Sequence, residues 1–162
     1  MKNAVYIHYG STKFDPTHGF PIRNKNDWSK PIGGLWASRV GASYGWKQWC
    51  EAEDFGSCEK SNSFEFTMKD SSKVAVIRNK TDLLKLPTVA SDYLLKRSEE
   101  LGTNITRFID YEECLRRGID AIELCWYGEE YGGQRGDRMD YIMLCWDCDS
   151  IVVINPDAVV PV

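Results

Sequence analysis

The sequence predicts an α+β fold with a mostly antiparallel or mixed sheet. Three observations lead there. Strand-like runs occupy both ends of the chain, at Val5-Tyr6-Ile7-His8-Tyr9 and at Ser150-Ile151-Val152-Val153-Ile154. The helical patterns gather in the middle instead of alternating with strands, as a doubly wound parallel sheet would require. Between the ends lies the stretch around which the site is read: Gly33-Gly34-Leu35-Trp36-Ala37-Ser38, followed by Ser43-Tyr44-Gly45-Trp46-Lys47-Gln48-Trp49.

Taken in order, residues 5–9 are β-branched and aromatic, a strand by propensity. Residues 11–33 hold three prolines and lack either periodicity, so they read as one long loop, a feature that in a small domain is usually functional. Two glycines then mark a place where the backbone must turn or come close to something. A short strand carrying Trp36 follows. Gly41 ends that run, and residues 43–53 read as a helix bearing Trp46 and Trp49. Phe64, Phe66 and Met68 alternate with polar residues, which predicts a half-buried strand, and residues 74–77 predict a more buried one. Residues 81–86 read as a short helix with a Thr81 N-cap, stopped by Pro87. Residues 91–101 read as a helix closed by Gly102. Asp110 with Glu113 three residues later has the form of a capping box, opening a helix that ends at Gly118. Residues 121–126, 140–145 and 150–154 read as strands, residues 127–138 as a glycine-rich mobile loop, and 155–157 as a turn. No repeat, low-complexity tract or linker interrupts residues 1–162, which predicts one domain.

Composition narrows the function classes. With 162 residues the chain can bury a sizeable core. Its formal net charge is −4 and its pI about 5.2, with no run of Lys or Arg. It therefore lacks the footprint of a bulk nucleic-acid binder. A local basic rim of Arg23, Lys25, Lys30, Arg39 and Lys47 is equally a solvated face. The N-terminus is too short and polar for a signal peptide, and no apolar run reaches membrane-spanning length. A cytoplasmic protein with no membrane partner is expected. Six Cys in a chain of this length do not make a disulfide scaffold. Cys145-Trp146-Asp147-Cys148 has C-x-x-C spacing but no second ligand pair of similar spacing, so no metal is expected and the cysteines read as buried and structural.

The candidate chemistry sits in three places. Trp36 and Trp46, with the hydroxyls of Ser38 and Ser43, make an aromatic clamp with hydrogen-bonding edges, suited to a flat polar ring; taken singly, each tryptophan reads as core. His8 ends the first strand and is followed by Tyr9, Gly10 and Ser11. Asp147 and Asp149 alternate at the entrance to the last apolar strand, where a solvated strand end and an acid pair are both open.

In that order the three places resemble the ADP-ribosyltransferase fold family, the type shared by diphtheria toxin and the poly(ADP-ribose) polymerases. The family's first strand carries His followed by Gly and Ser or Thr, where this chain has Ile7-His8-Tyr9-Gly10-Ser11. Its second strand carries an aromatic in a Gly-Ile-Tyr-Phe-Ala-like stretch, where this chain has Gly34-Leu35-Trp36-Ala37-Ser38. A Ser and a Tyr three apart follow on a helix, where Ser43 and Trp46 fall. Its catalytic Glu precedes a strand like Asp149-Ser150-Ile151-Val152-Val153-Ile154-Asn155-Pro156.

The resemblance covers roughly residues 5–50 and 120–160. It implies a split antiparallel or mixed sheet with flanking helices, and NAD as substrate. It also implies roles. His8 would bind the adenosine ribose, with Gly10 and Ser11 beside it. The Tyr9 backbone and Ser43 would hold the nicotinamide carboxamide. Trp36 and Trp46 would stack on the ring, with Ser38 alongside. Asp149 would be the catalytic acid and Asp147 would orient the acceptor, most simply a protein. Trp stands for Tyr at 36 and 46, and Asp for Glu at 149; Glu129 or Glu130 could supply the acid instead. The function implied is transfer of ADP-ribose from NAD. The alternatives are a binding or inhibitor protein on the same fold with its chemistry lost, of the kind a phage or mobile element encodes, and an unrelated α+β domain whose tryptophans are core.

Overall fold

A computed structural model describes residues 4–25, 28–90, 92–102, 107–135 and 138–162. Its centre is a curled mixed sheet of seven strands: β1 (Val5–Tyr9), β4 (Leu35–Arg39), β5 (Ser63–Met68), β6 (Val74–Ile77), β9 (Ala121–Leu124), β10 (Ile151–Val153) and β11 (Val159–Pro161). Their spatial order is β11-β5-β1-β4-β10-β9-β6, antiparallel throughout except for the parallel pair β6–β9. Two small two-stranded sheets stand apart from it, the hairpin β2 (Arg23–Lys25) with β3 (Trp28–Ile32), and β7 (Thr88–Ala90) with β8 (Arg107–Ile109). Four α-helices complete the described fold: α1 (Trp46–Ala52), α2 (Lys80–Leu83), α3 (Asp92–Leu101) and α4 (Tyr111–Arg116). The α+β class is thus as the sequence predicts.

The sheet is buried on both faces. Ile122, Leu124, Val152 and Ile154 pack with Leu83, Tyr111 and Trp146 on one side; Leu35, Ala37, Ala121, Ile151 and Val153 pack with Tyr6 and Phe66 on the other. Period-two alternation in β9 and β10 makes this division. The three stretches singled out in the sequence lie on neighbouring strands, since β4 pairs with β1 on one edge and β10 on the other. Gly33 and Gly34 have φ of +84° and +77°, and a side chain at Gly33 would meet the Gly19 carbonyl at 2.1 Å. The Gly34 N–H donates to that same carbonyl, so the pair turns the chain and lets two backbone segments touch.

Several local expectations change. The long loop 11–33 contains the hairpin β2–β3; residues 26 and 27 lie outside the described residues. Its base is pinned by Asn24, whose side chain donates to Asp110 and accepts from the Tyr111 N–H. That fixing is tertiary and leaves no periodic trace. The helix expected over 43–53 begins only at Trp46, because Ser43 and Tyr44 are engaged elsewhere. α2 is capped by Asn79, not Thr81. α3 begins at Asp92, with Ser91 outside the described residues. Asp110 caps α4 by accepting from the Glu113 N–H, but Glu113 turns to Arg116 and Arg117 and leaves the box half made. The strand expected over 140–145 is a 3₁₀ turn at Tyr141–Met143, where Asp140 accepts from the Ile142 N–H and competes with a ladder. β7 and β8, three residues each, carried no signal.

A bidentate ion pair crosses the sheet beneath these strands. Arg39 of β4 donates to both carboxylate oxygens of Glu123 of β9, at 2.5 and 2.8 Å, and Glu123 is 2% exposed. Burial first, then Glu123, pushes the Tyr6 phenol well above its usual range. Removing one partner leaves a buried charge. Glu123→Ala is expected to cost about 3 kcal/mol, the low end for breaking a buried pair because Arg39 reaches solvent. Arg39→Met with Glu123→Leu should recover much of that loss in urea denaturation.

Candidate functional site

The site begins with a missing rung. β1 pairs with β4 at Tyr6–Arg39 and Ile7–Ser38, and the Val40 N–H donates to the Val5 carbonyl. In an antiparallel pair, hydrogen-bonded rungs recur every second residue. Val5–Val40 and Ile7–Ser38 are such rungs, so the next would be Tyr9–Trp36. There the ladder stops. His8 Nδ1 donates to the Trp36 carbonyl at 2.7 Å; a carbonyl only accepts, so Nδ1 carries the proton and Nε2 is left free of it in the neutral ring. On its other side β1 stays paired through Tyr9–Ser63, and the Gly10 N–H donates to the Asn62 carbonyl. The same alternation turns the Tyr9 N–H and C=O away from β5, toward Trp36 and the gap.

The gap is a cavity of about 190 Å³ bounded by His8, Tyr9, Trp36, Trp46, Asp147 and Ser150, with Lys30, Cys145 and Cys148 on its walls. A second cavity of about 440 Å³ shares His8 and Trp36 with it and continues past Gly10, Ser11, Lys13, Phe14 and His18. The two adjoin at the His8–Trp36 contact, and together they are the cleft. The Trp36 ring meets Trp146 edge-on at 4.9 Å and carries the Lys30 ammonium 5.2 Å from its centroid. Its Nε1–H is buried and has no acceptor among the described residues. Trp46 stacks on Trp49 at 5.0 Å, with Phe55 edge-on beside it. Each indole is therefore packed on one side and borders the cleft.

The acids divide. Asp149 is 5% exposed, and its carboxylate accepts three backbone N–H bonds, from Trp126, Tyr127 and Gly128, at 2.7, 2.8 and 2.6 Å. A side chain at Gly128 would sit 2.8 Å from Asp149 Oδ2, so only glycine permits the approach. Asp149 thus holds the 126–128 turn, and Ser150, the next residue, borders the first cavity in its place. Asp147 borders the cleft and pairs with Arg138 at 3.3 Å. Glu130 accepts from both the hydroxyl and the N–H of Ser43, while the Glu129 N–H donates to that hydroxyl. Burial raises the Glu130 pKa, but these Ser43 bonds outweigh it and leave it below its usual range.

The structure gathers His8, Tyr9, Trp36, Trp46 and Asp147 around one cavity, and Gly10 and Ser11 along its continuation. It does not bring Asp149, Ser38 or Ser43 to that space. Ser38 is buried, accepts from the Trp46 N–H at the start of α1 and donates to the Asp149 carbonyl, so its hydroxyl caps a helix. Ser43 fastens the acidic turn to the strand that precedes it. The Ser11 hydroxyl donates to the Lys13 carbonyl.

The sequence reading missed Lys30, Phe14 and His18 as cleft residues, because they lie in the stretch read as structureless. The spacing of Lys30 between Trp28 and Ile32 was the available signal. Burial raises the Cys145 and Cys148 thiols, Cys148 to about 12, which makes both poor nucleophiles at neutral pH. Among the described residues no group of His, Cys, Asp and Glu is arranged to hold a metal ion, and no helix is long and apolar enough to cross a membrane.

Comparison with protein-family models, curated proteins and solved structures finds no match. The site is therefore read from its own geometry.

Asp149→Asn is expected to lower stability by about 1–3 kcal/mol, since one amide donor loses its acceptor. Burial raises the Asp149 pKa against the pull of the three amides. The native state then keeps this proton at pH values where the unfolded chain, with a pKa of about 4, has lost it. This group's contribution to stability falls as pH rises through that window. Urea midpoints measured across it should show the slope in the wild type and not in Asp149→Asn.

Proposed function

We propose that this chain binds NAD with its nicotinamide end between Tyr9, Trp36 and Trp46, and transfers the ADP-ribose group to an acceptor, most simply a protein. The observation that carries the reading is the missing rung: β1 and β4 part where the histidine, the aromatic strand and the last strand meet. There the Tyr9 N–H and C=O face a gap whose lining includes the indoles of Trp36 and Trp46. A primary carboxamide presents one acceptor and two donors in a plane, the complement of such a backbone pair. The aromatic walls suit the ring, and the second cavity offers room for the rest of a dinucleotide.

In the reaction the bond between the ribose C1′ and the nicotinamide nitrogen breaks, and its electron pair leaves with the ring, which becomes neutral. Positive charge builds on the ribose. The acceptor's nucleophile bonds to C1′ and gives up a proton. A carboxylate near the ribose favours that charge. Asp147 is the acid on the wall of the first cavity, beside the two indoles, so we give it the role that the sequence reading gave to Asp149, whose oxygens already serve three amides. A second reading, binding without turnover, is favoured by the pairing of Asp147 with Arg138.

Nicotinamide release from NAD, with and without candidate acceptor proteins, separates the readings. Asp147→Asn is expected to lower release on the order of a hundredfold with NAD affinity nearly unchanged, because the contact matters in the transition state. Asp149→Asn should keep turnover at temperatures where it is folded. Wild-type protein that binds NAD and releases nothing supports the second reading. Absence of any NAD-dependent change in tryptophan fluorescence defeats both.

The stacking role has its own check. Trp46→Ala should weaken the fluorescence response to NAD by more than its loss of stability explains. An unchanged response would return Trp46 to a packing role.

A further inference from the structure

Lys30 stands on the wall of the first cavity, over the ring of Trp36. It is exposed and belongs to β3, bounds the first cavity, and holds its ammonium 5.2 Å from the centre of Trp36, which bounds both. Its strand is held in place on both sides. Ser29, buried beside it, lies 2.9 Å from Cys145 Sγ, and Asn24 on the partner strand β2 is fixed to α4. The ammonium is thus delivered from an anchored backbone on a flexible stem, a point charge with three donors. Asp147, the acid on the same cavity, is paired with Arg138.

Two consequences follow from elementary electrostatics. The face of Trp36 that Lys30 covers is a cation-binding face, and the nicotinamide ring of NAD is itself a cation. Two cations do not share one indole face, so a ring stacking there displaces the ammonium. A ligand spanning both cavities must also carry its linking group past the His8–Trp36 contact. In NAD that group is a diphosphate, an anion that a displaced ammonium would pair with.

We propose that Lys30 is the phosphate-recognising residue of this cleft, leaving the Trp36 face for the ligand's diphosphate as the cationic ring takes its place. The inference rests on the NAD reading and deepens it. The lysine makes the cleft select a ring and a diphosphate together over either alone. A ring without phosphates has to displace Lys30 with no compensating contact.

The test uses the full chain and three probes in calorimetric titrations: NAD, ADP-ribose, which has the diphosphate without the ring, and N-methylnicotinamide, which has the cationic ring without phosphate. Lys30→Met is expected to weaken NAD and ADP-ribose about tenfold, as loss of one charge-assisted hydrogen bond would. It should tighten N-methylnicotinamide about threefold, because the ring no longer displaces an ammonium. Lys30→Arg should retain the affinity for ADP-ribose. Unchanged ADP-ribose affinity in Lys30→Met, or weakening of all three probes alike, overturns the proposal. Wild-type protein that binds N-methylnicotinamide but not ADP-ribose defeats the lysine role and leaves the ring pocket standing. Wild-type protein that binds none of the three defeats the NAD reading, and this inference with it.

Discussion

The hydrogen bond from His8 to the Trp36 carbonyl is the contact on which the site depends. A sheet of seven strands has no inherent reason to open in its middle, because each unmade rung leaves backbone groups without partners. Here β1 and β4 separate one rung beyond Ile7–Ser38, and the imidazole takes the carbonyl that the ladder gives up. The gap is therefore wedged open by a side chain of the strand itself. The other edge of each strand remains paired, β1 with β5 and β4 with β10. Both walls are thus held by a neighbouring strand. A histidine at this position explains the cleft structurally, before any ligand is invoked. It also leaves Nε2 facing outward, 3.9 Å from where a Gly10 side chain would begin.

Asp147 and Asp149 show how one short segment can serve two ends. Two residues apart, they would share one face of a regular strand, but the chain bends at residues 148 and 149 and parts them. Asp149 turns inward and gathers three amides of the 126–128 turn, and its own N–H and C=O go to the Tyr44 carbonyl and the Ser38 hydroxyl. That residue joins β4, the approach to α1, β10 and the turn after β9. A carboxylate so fully used is a structural hub, and it does not border the cleft. Asp147 has none of these ties and meets the open space.

The strands were legible in the sequence because their patterns are local: β-branched and aromatic runs at residues 5–9 and 150–154, and alternation at 64–68. The helix caps at Asp110 and Gly118 were legible for the same reason. What was hidden is tertiary. Nothing in residues 11–33 announces that Asn24 will pin a hairpin to α4, or that Gly33 must be bare because Gly19 crosses it. Spacing brought Ser38 and Ser43 to the right neighbourhood, yet it could not tell a hydroxyl facing the cleft from one capping a helix or fastening a turn. The surroundings of Asp149 were hidden in the same manner. Its position before a buried strand is visible in the chain, whereas the three amides that consume it come from a segment more than twenty residues earlier.

The tryptophans then lose their ambiguity. Core and site are not alternatives for Trp36 and Trp46, because each ring spends one side on packing and keeps another on the cleft. Trp146 behind Trp36 and Trp49 behind Trp46 are the supports. A ring held from behind loses little side-chain freedom when a ligand arrives, so the entropy of ordering it has been spent in folding. Lys30 belongs to the same logic from the opposite direction. It reaches this wall on a flexible stem, and the cation it lays on Trp36 marks the face that a cationic ring would occupy. Rings held from behind, with a long-stemmed lysine laid over one of them, are the parts a cleft needs to discriminate by charge without changing its shape.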